Sequence, residues 1–329
     1  MEYRRLGRTD IEVSVIAMGC WGLAGGGTWG PQDEEESIAT VLAALEAGIN
    51  FFDTAEGYGR GLSETILGKA LKGRRHEAVI ATKVSTSHLA PDDVRQACEG
   101  SLRRLGTDYI DLYQIHWPSR EVPIAETLGA MERLREEGKI RAIGVSNFGV
   151  KDLTALLEVG RCETNQLPYS LLWRAIEYEI LPVCVEHEIG VLCYSPLAQG
   201  LLTGKFRSAD EVPPGRARTR HFRGDRPEAR HGEPGAEEET FAAIASIREI
   251  CERIERPMAE VSLAWLLARP GVASVIAGAR RPEQIRQNAK AAELKLAPEV
   301  VNELTSVTEA LKQRLGPNPD MWQSDSRMA

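Results

Sequence analysis

Polar side chains recur where the short apolar segments of this 329-residue chain end. Six of the eight predicted segments end in charged, hydroxyl or amide groups: Asp53, Lys83, His116, Ser146 with Asn147, Gln166, and Tyr194 with Ser195. Each group alone has an ordinary explanation, since an aspartate can cap a helix, a lysine can face solvent and a lone histidine is more often a hydrogen-bonded core residue. Six polar strand ends in one chain are hard to explain by packing of the core. They predict a catalytic face where the carboxyl ends of strands converge.

The segments that position these groups alternate with helical patterns. In the pattern over 32–47, the apolar residues Ile38, Val41, Leu42 and Leu45 fall on one helical face. Predicted strands lie at 13–19, 49–53, 79–83, 109–116, 142–146, 164–167, 191–195 and 272–277. Repeated strand–helix units indicate a parallel sheet, and continuous apolar strands indicate burial on both faces. Eight such units predict an α/β fold, a closed (β/α)8 TIM barrel.

Two further parts of the chain lie outside the eight units. The prefix over 3–13 predicts an N-terminal hairpin, and the tail from Ala297 predicts a helix. That helix would carry Val300, Leu304, Val307 and Leu311 on one face. We assign residues 1–329 to a single barrel domain.

Composition excludes several classes of protein. Hydrophobic residues make up 43% and charged residues 27% of the chain, which argues against disorder, collagen and coiled coil. The net charge of −8 disfavours nucleic acid and anionic membranes as partners. With no apolar run of membrane-spanning length and no apolar N-terminal signal, we expect a cytoplasmic protein. The six cysteines form no CxxC pair and the six histidines no HxxxH motif, so we expect reduced thiols and no metal site.

A glycine-rich segment matches a dinucleotide-binding fingerprint. Gly25, Gly27 and Gly30 have the G-x-G-x-x-G spacing, and Asp53 follows at the end of a strand. The first glycine, however, comes well after the strand that ends at Gly19, and Pro31 precedes the helix that should already have begun. A loop over the barrel mouth is the favoured interpretation, and an open doubly wound sheet is the alternative.

Several sequence motifs follow one another in order along the chain. One runs from Asp53 through Tyr58 to Glu64, the next surrounds Lys83, and a third ends in His116. Further motifs occupy 144–148, 165–170, 194–205 and 275–288. In this order they resemble the aldo-keto reductases over nearly the whole chain, including the branch of bacterial and potassium-channel-β-subunit-like members.

The resemblance implies hydride transfer from a nicotinamide to an aldehyde or ketone carbonyl, with Tyr58 as the proton donor. A free tyrosine has a pKa of about 10, and a nearby ammonium lowers that pKa towards working pH. Lys83 would supply this charge, and Asp53 would hold Lys83 in place. His116 would orient the carbonyl and donate a hydrogen bond to its oxygen.

The resemblance also implies a set of cofactor-binding residues. Ser146, Asn147 and Gln166 would bind the carboxamide, and the ring of Tyr194 would stack on the nicotinamide. The pyrophosphate loop would contain Ser195, Leu197, Gln199, Gly200 and Lys205.

The chain departs from the best-known members at the adenosine end. Those members use a lysine and, six residues later, an arginine around the 2′-phosphate, whereas Gly278 and Gln284 stand at these positions. We therefore assign Arg280, Gln284 and Asn288 to this end, with Arg281 as a solvated helix-start residue. A guanidinium can bind phosphate through two hydrogen bonds. We expect NADP(H) to be the preferred cofactor and NAD(H) the alternative.

Arginines and tryptophans form two further features. The segment over 207–230 contains seven arginines, and a loop closing over an anionic cofactor is favoured there over a nucleic-acid patch. Trp21, Trp29 and Trp117 follow predicted strands and either line a substrate pocket or cover the barrel rim.

Two classes of function therefore stand side by side. The first is a reductase acting on a small carbonyl substrate. The second is a regulatory subunit that binds a nicotinamide cofactor, senses redox state and turns over slowly. The sequence identifies neither the natural carbonyl nor a protein partner.

Overall fold

A computed structural model describes residues 1–26 and 29–329 of the chain. Its centre is a closed barrel of eight parallel strands, each hydrogen-bonded to its neighbours in sequence order, with the last strand pairing to the first. These strands are β3 (Ile16–Gly19), β4 (Phe51–Asp53), β5 (Val79–Val84), β6 (Ile110–Ile115), β7 (Ile140–Ser146), β8 (Thr164–Pro168), β9 (Gly190–Tyr194) and β10 (Val272–Gly278). The predicted TIM barrel is confirmed.

Helices surround the barrel. They are α1 (Glu34–Glu46), α2 (Leu62–Ala70), α3 (Pro91–Leu105), α4 (Ile124–Glu136), α5 (Val150–Val159), α6 (Ile180–Glu186), α7 (Glu237–Arg253), α8 (Met258–Leu267), α9 (Pro282–Ala289), α10 (Pro298–Val307) and α11 (Glu309–Leu315). α6 is short, and a separate 3-10 turn, Ala175–Glu177, precedes it.

The predicted hairpin is present, but the first predicted strand was wrong in its extent. β1 (Tyr3–Arg5) pairs antiparallel with β2 (Glu12–Ser14), and the barrel strand begins only at Ile16. The chain bends at Val15, whose N–H bonds to the Glu2 carbonyl while the Ser14 hydroxyl donates to the Ile16 carbonyl. Residues 13–19 therefore do not form one strand: residues 13 and 14 belong to the hairpin, and residues 16–19 belong to the barrel.

The predicted helical tail is divided. Thr308 lies between α10 and α11 with non-helical backbone angles, φ −104° and ψ 0°. Its hydroxyl donates to the Leu304 carbonyl and accepts from Arg174 Nη1. A threonine that bonds to its own backbone competes with the helix. Leu304 and Leu311 are nevertheless both buried, as the apolar stripe predicted.

The hairpin closes the amino-terminal end of the barrel. Leu6, Ile11 and Val13 are buried and pack in one apolar cluster with inward-facing residues such as Phe51 and Leu112. Because this end is filled with hydrocarbon, the opposite end, where the strands finish in polar residues, is where a ligand can enter. Among the described residues, no helix is long and apolar enough to cross a membrane.

The contact between α2 and α3 gives a test of this packing. A Cβ on Gly68 would lie 2.5 Å from the Leu105 carbonyl oxygen, so Gly68→Ala must push the two helices apart. We expect the free energy of unfolding to fall by about 1–3 kcal/mol, measured by urea denaturation.

Gly129→Ala is the matched control, since its Cβ would come no closer than 3.8 Å to the atoms around it, the nearest being Arg133 Nη1. Alanine favours helix over glycine, so this variant should be neutral or more stable by roughly 0.5–1 kcal/mol. Equal stability of the Gly68→Ala and Gly129→Ala proteins would contradict the packing described.

Candidate active site

A buried lysine connects three strand-end groups. Lys83 is fully inaccessible to solvent, and its Nζ donates to Asp53 Oδ1 at 2.6 Å, the Thr54 carbonyl at 2.8 Å and Tyr58 Oη at 3.3 Å. All three ammonium donors are therefore satisfied. Burial alone would lower the pKa of Lys83, but the Asp53 carboxylate and Tyr58 together outweigh burial and raise that pKa, so the lysine stays charged.

The second oxygen of Asp53 accepts two amide donors. Gln166 Nε2 lies 2.7 Å and Gln114 Nε2 lies 3.2 Å from Asp53 Oδ2. Gln114 was missed by the sequence analysis. A signal existed, because Gln114 interrupts an apolar strand two residues before His116, and alternate residues of a strand share a face.

Tyr58 lies at the boundary between Lys83 and the barrel mouth. Burial raises the pKa of Tyr58 above its ordinary value, while the charge and hydrogen bond of Lys83 oppose that rise. Lys83 thus acts on the Tyr58 pKa in the expected direction, but the pKa stays above its ordinary value because desolvation of the phenolate is the larger effect. Tyr58 holds its proton at neutral pH.

His116 packs edge-on against Tyr58, with ring centroids 5.8 Å apart. Burial, with a smaller contribution from the Lys83 charge, lowers the pKa of His116 to about 3. The imidazole is therefore neutral across the physiological range and carries one N–H donor.

Hydroxyl and amide groups form the neighbouring wall. Asn147 takes a left-handed backbone conformation, φ 64°, and donates to the His116 carbonyl and to Ser146 Oγ. Its Oδ1 accepts the Tyr194 hydroxyl at 2.9 Å. The amide thus ties the ends of β6, β7 and β9 together and fixes the Tyr194 ring.

A cavity of about 1250 Å³ opens over these groups. All the site residues named from the sequence line it except Lys83, which lies behind Asp53 and Tyr58. They are Asp53, Tyr58, His116, Ser146, Asn147, Gln166, Tyr194, Ser195, Leu197, Gln199, Gly200, Lys205, Gly278, Arg280, Gln284, Asn288, Trp21, Trp29 and Trp117.

The loop after β9 has an unusual backbone. Ser195, Ala198, Gln199 and Gly200 all have positive φ, between 46° and 93°. Lys205 Nζ lies 3.5 Å from the position a Cβ on Gly200 would take, with Arg216 Nη1 at 3.6 Å, so two cations face this turn. Gln199 Oε1 is buried without a hydrogen-bond partner. Such a turn with adjacent cations can hold an anion.

Arg280 bridges two parts of the rim. Its guanidinium donates to the backbone carbonyls of Trp29 and Pro31, and its Nε donates to Gln32 Oε1 at 2.6 Å. Gln284 Oε1 accepts the Arg280 backbone N–H at 2.9 Å. The sequence predicted a phosphate-binding cation here, but in this structure the side chain fastens the glycine-rich loop to the end of β10.

The glycine-rich segment forms part of the mouth. Gly26 pairs with Gly30 in an antiparallel bridge, and Trp29 lines the cavity, while Gly27 and Thr28 lie outside the described residues. The closed barrel excludes the open doubly wound sheet that the fingerprint would need.

The end of the chain also contributes to the cavity, and this contribution was not predicted from the sequence. Trp322 and Arg327 line the cavity, and the Arg327 guanidinium lies 3.6 Å from the Trp117 ring centroid. Asp320, which is fully buried, accepts two hydrogen bonds from Arg327. The signal was a tryptophan in a polar, proline-containing tail, since so large an apolar surface calls for burial.

The arginine-rich segment also reaches the cavity. Arg216, Arg218 and Arg230 line it together with Glu228. The interpretation favoured from the sequence, a loop that closes over an anionic cofactor, stays a prediction.

The thiols are all buried. Burial raises the pKa of each of the six cysteines, including Cys20, which contributes to the cavity wall. Within residues 1–26 and 29–329, no three His, Cys, Asp or Glu side chains are grouped so as to hold a metal ion.

The low pKa of His116 predicts a pH-dependent stability. Below pH 6.5 the unfolded chain binds a proton at this residue that the folded protein does not, so stability falls as the pH drops from 6.5 towards 3. In His116→Gln this loss is removed. Between pH 7.5 and 5 the variant should lose about 2 kcal/mol less than the wild type, measured by urea unfolding.

The exposed His187 supplies the control, since His187→Gln should follow the wild-type pH dependence. Parallel curves for wild type and His116→Gln would contradict an imidazole that stays neutral in the folded protein.

Comparison with known proteins places this site in a family. The sequence matches the model of the Aldo/keto reductase family over residues 15–309. It is 36% identical to the NADH-specific methylglyoxal reductase of Escherichia coli (strain K12), over 94% of this chain and 98% of that protein. It is 30% identical to a probable voltage-gated potassium channel subunit beta of Oryza sativa subsp. japonica, over 95% of this chain and 98% of the relative.

A solved structure agrees with these matches. The aldo-keto reductase of Klebsiella pneumoniae in complex with NADPH superimposes with a TM-score of 0.75 and 31% identity, over 100% of this chain and 98% of that one. The fold, the strand-end cluster and these matches lead to one conclusion: the chain belongs to the aldo/keto reductase family.

Proposed function

We propose that this chain reduces an aldehyde or ketone carbonyl with NADPH, within one barrel domain, and that Tyr58 donates the proton. The observation that carries the proposal is the position of Lys83 Nζ, which bonds both Asp53 and Tyr58 Oη beneath a large cavity. A phenol, an ammonium and a neutral imidazole around one point provide a proton donor and two groups that stabilise an oxyanion.

Proton transfer follows from the charges around Tyr58. The phenol is protonated before reaction, because burial raises the pKa of Tyr58. When it gives its proton to the substrate oxygen, the resulting phenolate lies 3.3 Å from the Lys83 ammonium. Asp53 keeps that ammonium charged and in place, so the cost of forming the phenolate is reduced when it forms.

His116 orients the carbonyl. Its neutral ring offers one N–H to the carbonyl oxygen, which would lie between the imidazole and the phenol. A fixed donor is worth most where negative charge develops in a site shielded from water. His116 therefore acts as a hydrogen-bond donor and not as the acid.

The residues of the wall fit a nicotinamide cofactor, which supplies the hydride when bound. The Tyr194 ring, fixed by Asn147, offers a flat surface for stacking, and Asn147 Oδ1 retains a lone pair for a carboxamide N–H. The unpartnered Gln199 Oε1 and the left-handed turn around Gly200, with Lys205 and Arg216, fit a pyrophosphate.

The basic character of the cavity supports NADP(H) over NAD(H). Seven cations line it, against three carboxylates. The cations are Lys205, Arg216, Arg218, Arg230, Arg280, Arg281 and Arg327. A relative is named NADH-specific and a similar structure holds NADPH, so both cofactors occur among similar proteins. NAD(H) is the alternative here.

The second candidate is a redox-sensing regulatory subunit with slow turnover. The relative named as a potassium channel subunit beta supports it. The two candidates differ in rate and in need for a partner, so turnover by the isolated chain discriminates between them.

The test is oxidation of NADPH by the purified chain with a small aromatic aldehyde, followed by absorbance. Tyr58→Phe keeps the ring but removes the transferable proton, so kcat should fall roughly 10²–10⁴-fold with unchanged NADPH affinity. The exposed Tyr178 supplies the control, Tyr178→Phe, which should keep full activity.

Two results would count against the enzyme. One is the absence of any change in NADPH fluorescence on mixing with the protein. The other is near-normal kcat in Tyr58→Phe under conditions where a deuterium isotope effect shows that hydride transfer limits the rate.

Arg280→Ala should weaken NADPH more than NADH. A charged hydrogen bond to the 2′-phosphate is worth roughly 1.5–3 kcal/mol, so the NADPH-specific loss should be about ten- to a hundredfold in Kd. Release of the loop held through the Trp29 and Pro31 carbonyls would affect both cofactors equally, so the ratio of the two Kd values isolates the phosphate.

Arg286→Ala, at an exposed position of α9 shortly after Arg280, is the control and should leave both Kd values unchanged. An equal loss for NADH and NADPH would remove Arg280 from phosphate recognition.

A further inference from the structure

Arg218 is held between two indole rings at the catalytic end of the cavity. Its guanidinium carbon lies 5.7 Å from the Trp21 ring centroid and 4.9 Å from that of Trp322. The Trp21 ring in turn stacks against Tyr58, with centroids 6.0 Å apart. One indole therefore separates Arg218 from the proposed proton donor.

The hydrogen-bonding capacity of Arg218 is unused. Its Nε is shielded from solvent and has no hydrogen-bond partner among the residues that the structure describes. No Asp or Glu oxygen of the described chain lies within 4.0 Å of its guanidinium nitrogens. Burial and the neighbouring Arg230 both lower the pKa of Arg218, and Glu228 offsets this only in part. A half-buried cation without a partner is costly, which indicates that a ligand supplies the missing anion.

Four of the other six cations that line the cavity have a bonded partner or face the turn after β9. Arg327 is bonded through two nitrogens to Asp320, and Arg280 is bonded to the rim carbonyls. Lys205 and Arg216 face the turn at Gly200, where a pyrophosphate fits. Arg218 combines an unmet charge with a contact to the Trp21 ring that stacks on Tyr58, so it is the cation best placed to meet a substrate.

We propose, on the basis of the function proposed above, that the carbonyl substrate carries a carboxylate and that Arg218 binds it. The substrate class is then an oxo acid whose carbonyl reaches Tyr58 and His116 while its carboxylate reaches the guanidinium. The planar guanidinium fork can bind both oxygens of a carboxylate at once. The indole faces of Trp21 and Trp322 confine an apolar or aromatic body between the two ends.

Paired substrates test this assignment. The probes are 4-formylbenzoate and 3-formylbenzoate, each compared with its neutral methyl ester, in NADPH-dependent reduction. The wild type should show the higher kcat/KM for the carboxylates. Arg218→Gln should lower kcat/KM for the carboxylates about ten- to a hundredfold and leave the esters within about twofold. Arg218→Lys keeps the charge without the fork and should recover part of the loss.

The matched control is Arg207→Gln. Arg207 is an exposed arginine of the same loop and does not line the main cavity. The Arg207→Gln variant therefore loses the same charge as Arg218→Gln without a change in the site. It should retain the wild-type preference. The Kd of NADPH should be unchanged in Arg218→Gln.

A binding measurement without turnover gives a second readout. By calorimetry, the wild type should bind benzoate more tightly than benzamide, and Arg218→Gln should lose this difference. If Arg218→Gln does not fold, Arg218→Lys and the wild-type preference for benzoate decide the question.

The results that overturn the proposal differ from those that overturn the enzyme. Equal kcat/KM for acids and esters in the wild type, an equal loss for both in Arg218→Gln, or a weakened NADPH Kd in that variant would remove Arg218 from substrate recognition. If the wild type reduces none of the four aldehydes, the proposed function fails. The benzoate–benzamide difference then still supports or overturns an anion site at Arg218.

Discussion

The buried ion pair between Lys83 and Asp53 is the interaction around which the site is arranged. Two charges without solvent must be matched by fixed partners, because an unpaired charge in such a place is strongly destabilising. Thr54, Tyr58, Gln114 and Gln166 supply those partners, and they come from the segment after β4, from β6 and from β8. The hydrogen bonds made to this ion pair therefore hold the carboxyl ends of β4, β5, β6 and β8 together.

The barrel has one apolar end and one polar end. The hairpin fills the opposite end with Leu6, Ile11 and Val13, so the polar groups are concentrated at one mouth. Loops from both ends of the chain then cover that mouth. Arg280 fastens the glycine-rich loop, and Arg327 stacks on Trp117 from the tail. The rigid pair lies at the bottom of the cavity, and the ligand-facing cations lie on the loops above it.

The sequence predicted the barrel and the residues around Lys83 well, for a physical reason. In a barrel, the carboxyl ends of all the strands converge on one face. Polar residues at those ends therefore lie close together and indicate a functional site. Gln114 escaped notice because it lies within a strand, and Trp322 because its tail has no periodicity. The bend at Val15 and the break at Thr308 depend on hydrogen bonds to distant segments, which no local pattern contains. The pKa of Tyr58 depends on burial, which only the folded protein reveals. The residue roles and the single-domain assignment stay predictions.

The six buried thiols bear on the durability of such a protein. Exposed cysteines react with aldehydes and other reactive carbonyls through the thiolate, which is the nucleophile that attacks the carbonyl carbon. Here burial raises the pKa of each thiol, and Cys20, beside Asp53 in the cavity wall, is fully inaccessible to solvent. A chain that holds electrophiles in this cavity would thus present them with protonated, shielded sulfur. Modification of side chains other than cysteine would then limit how long the protein stays active.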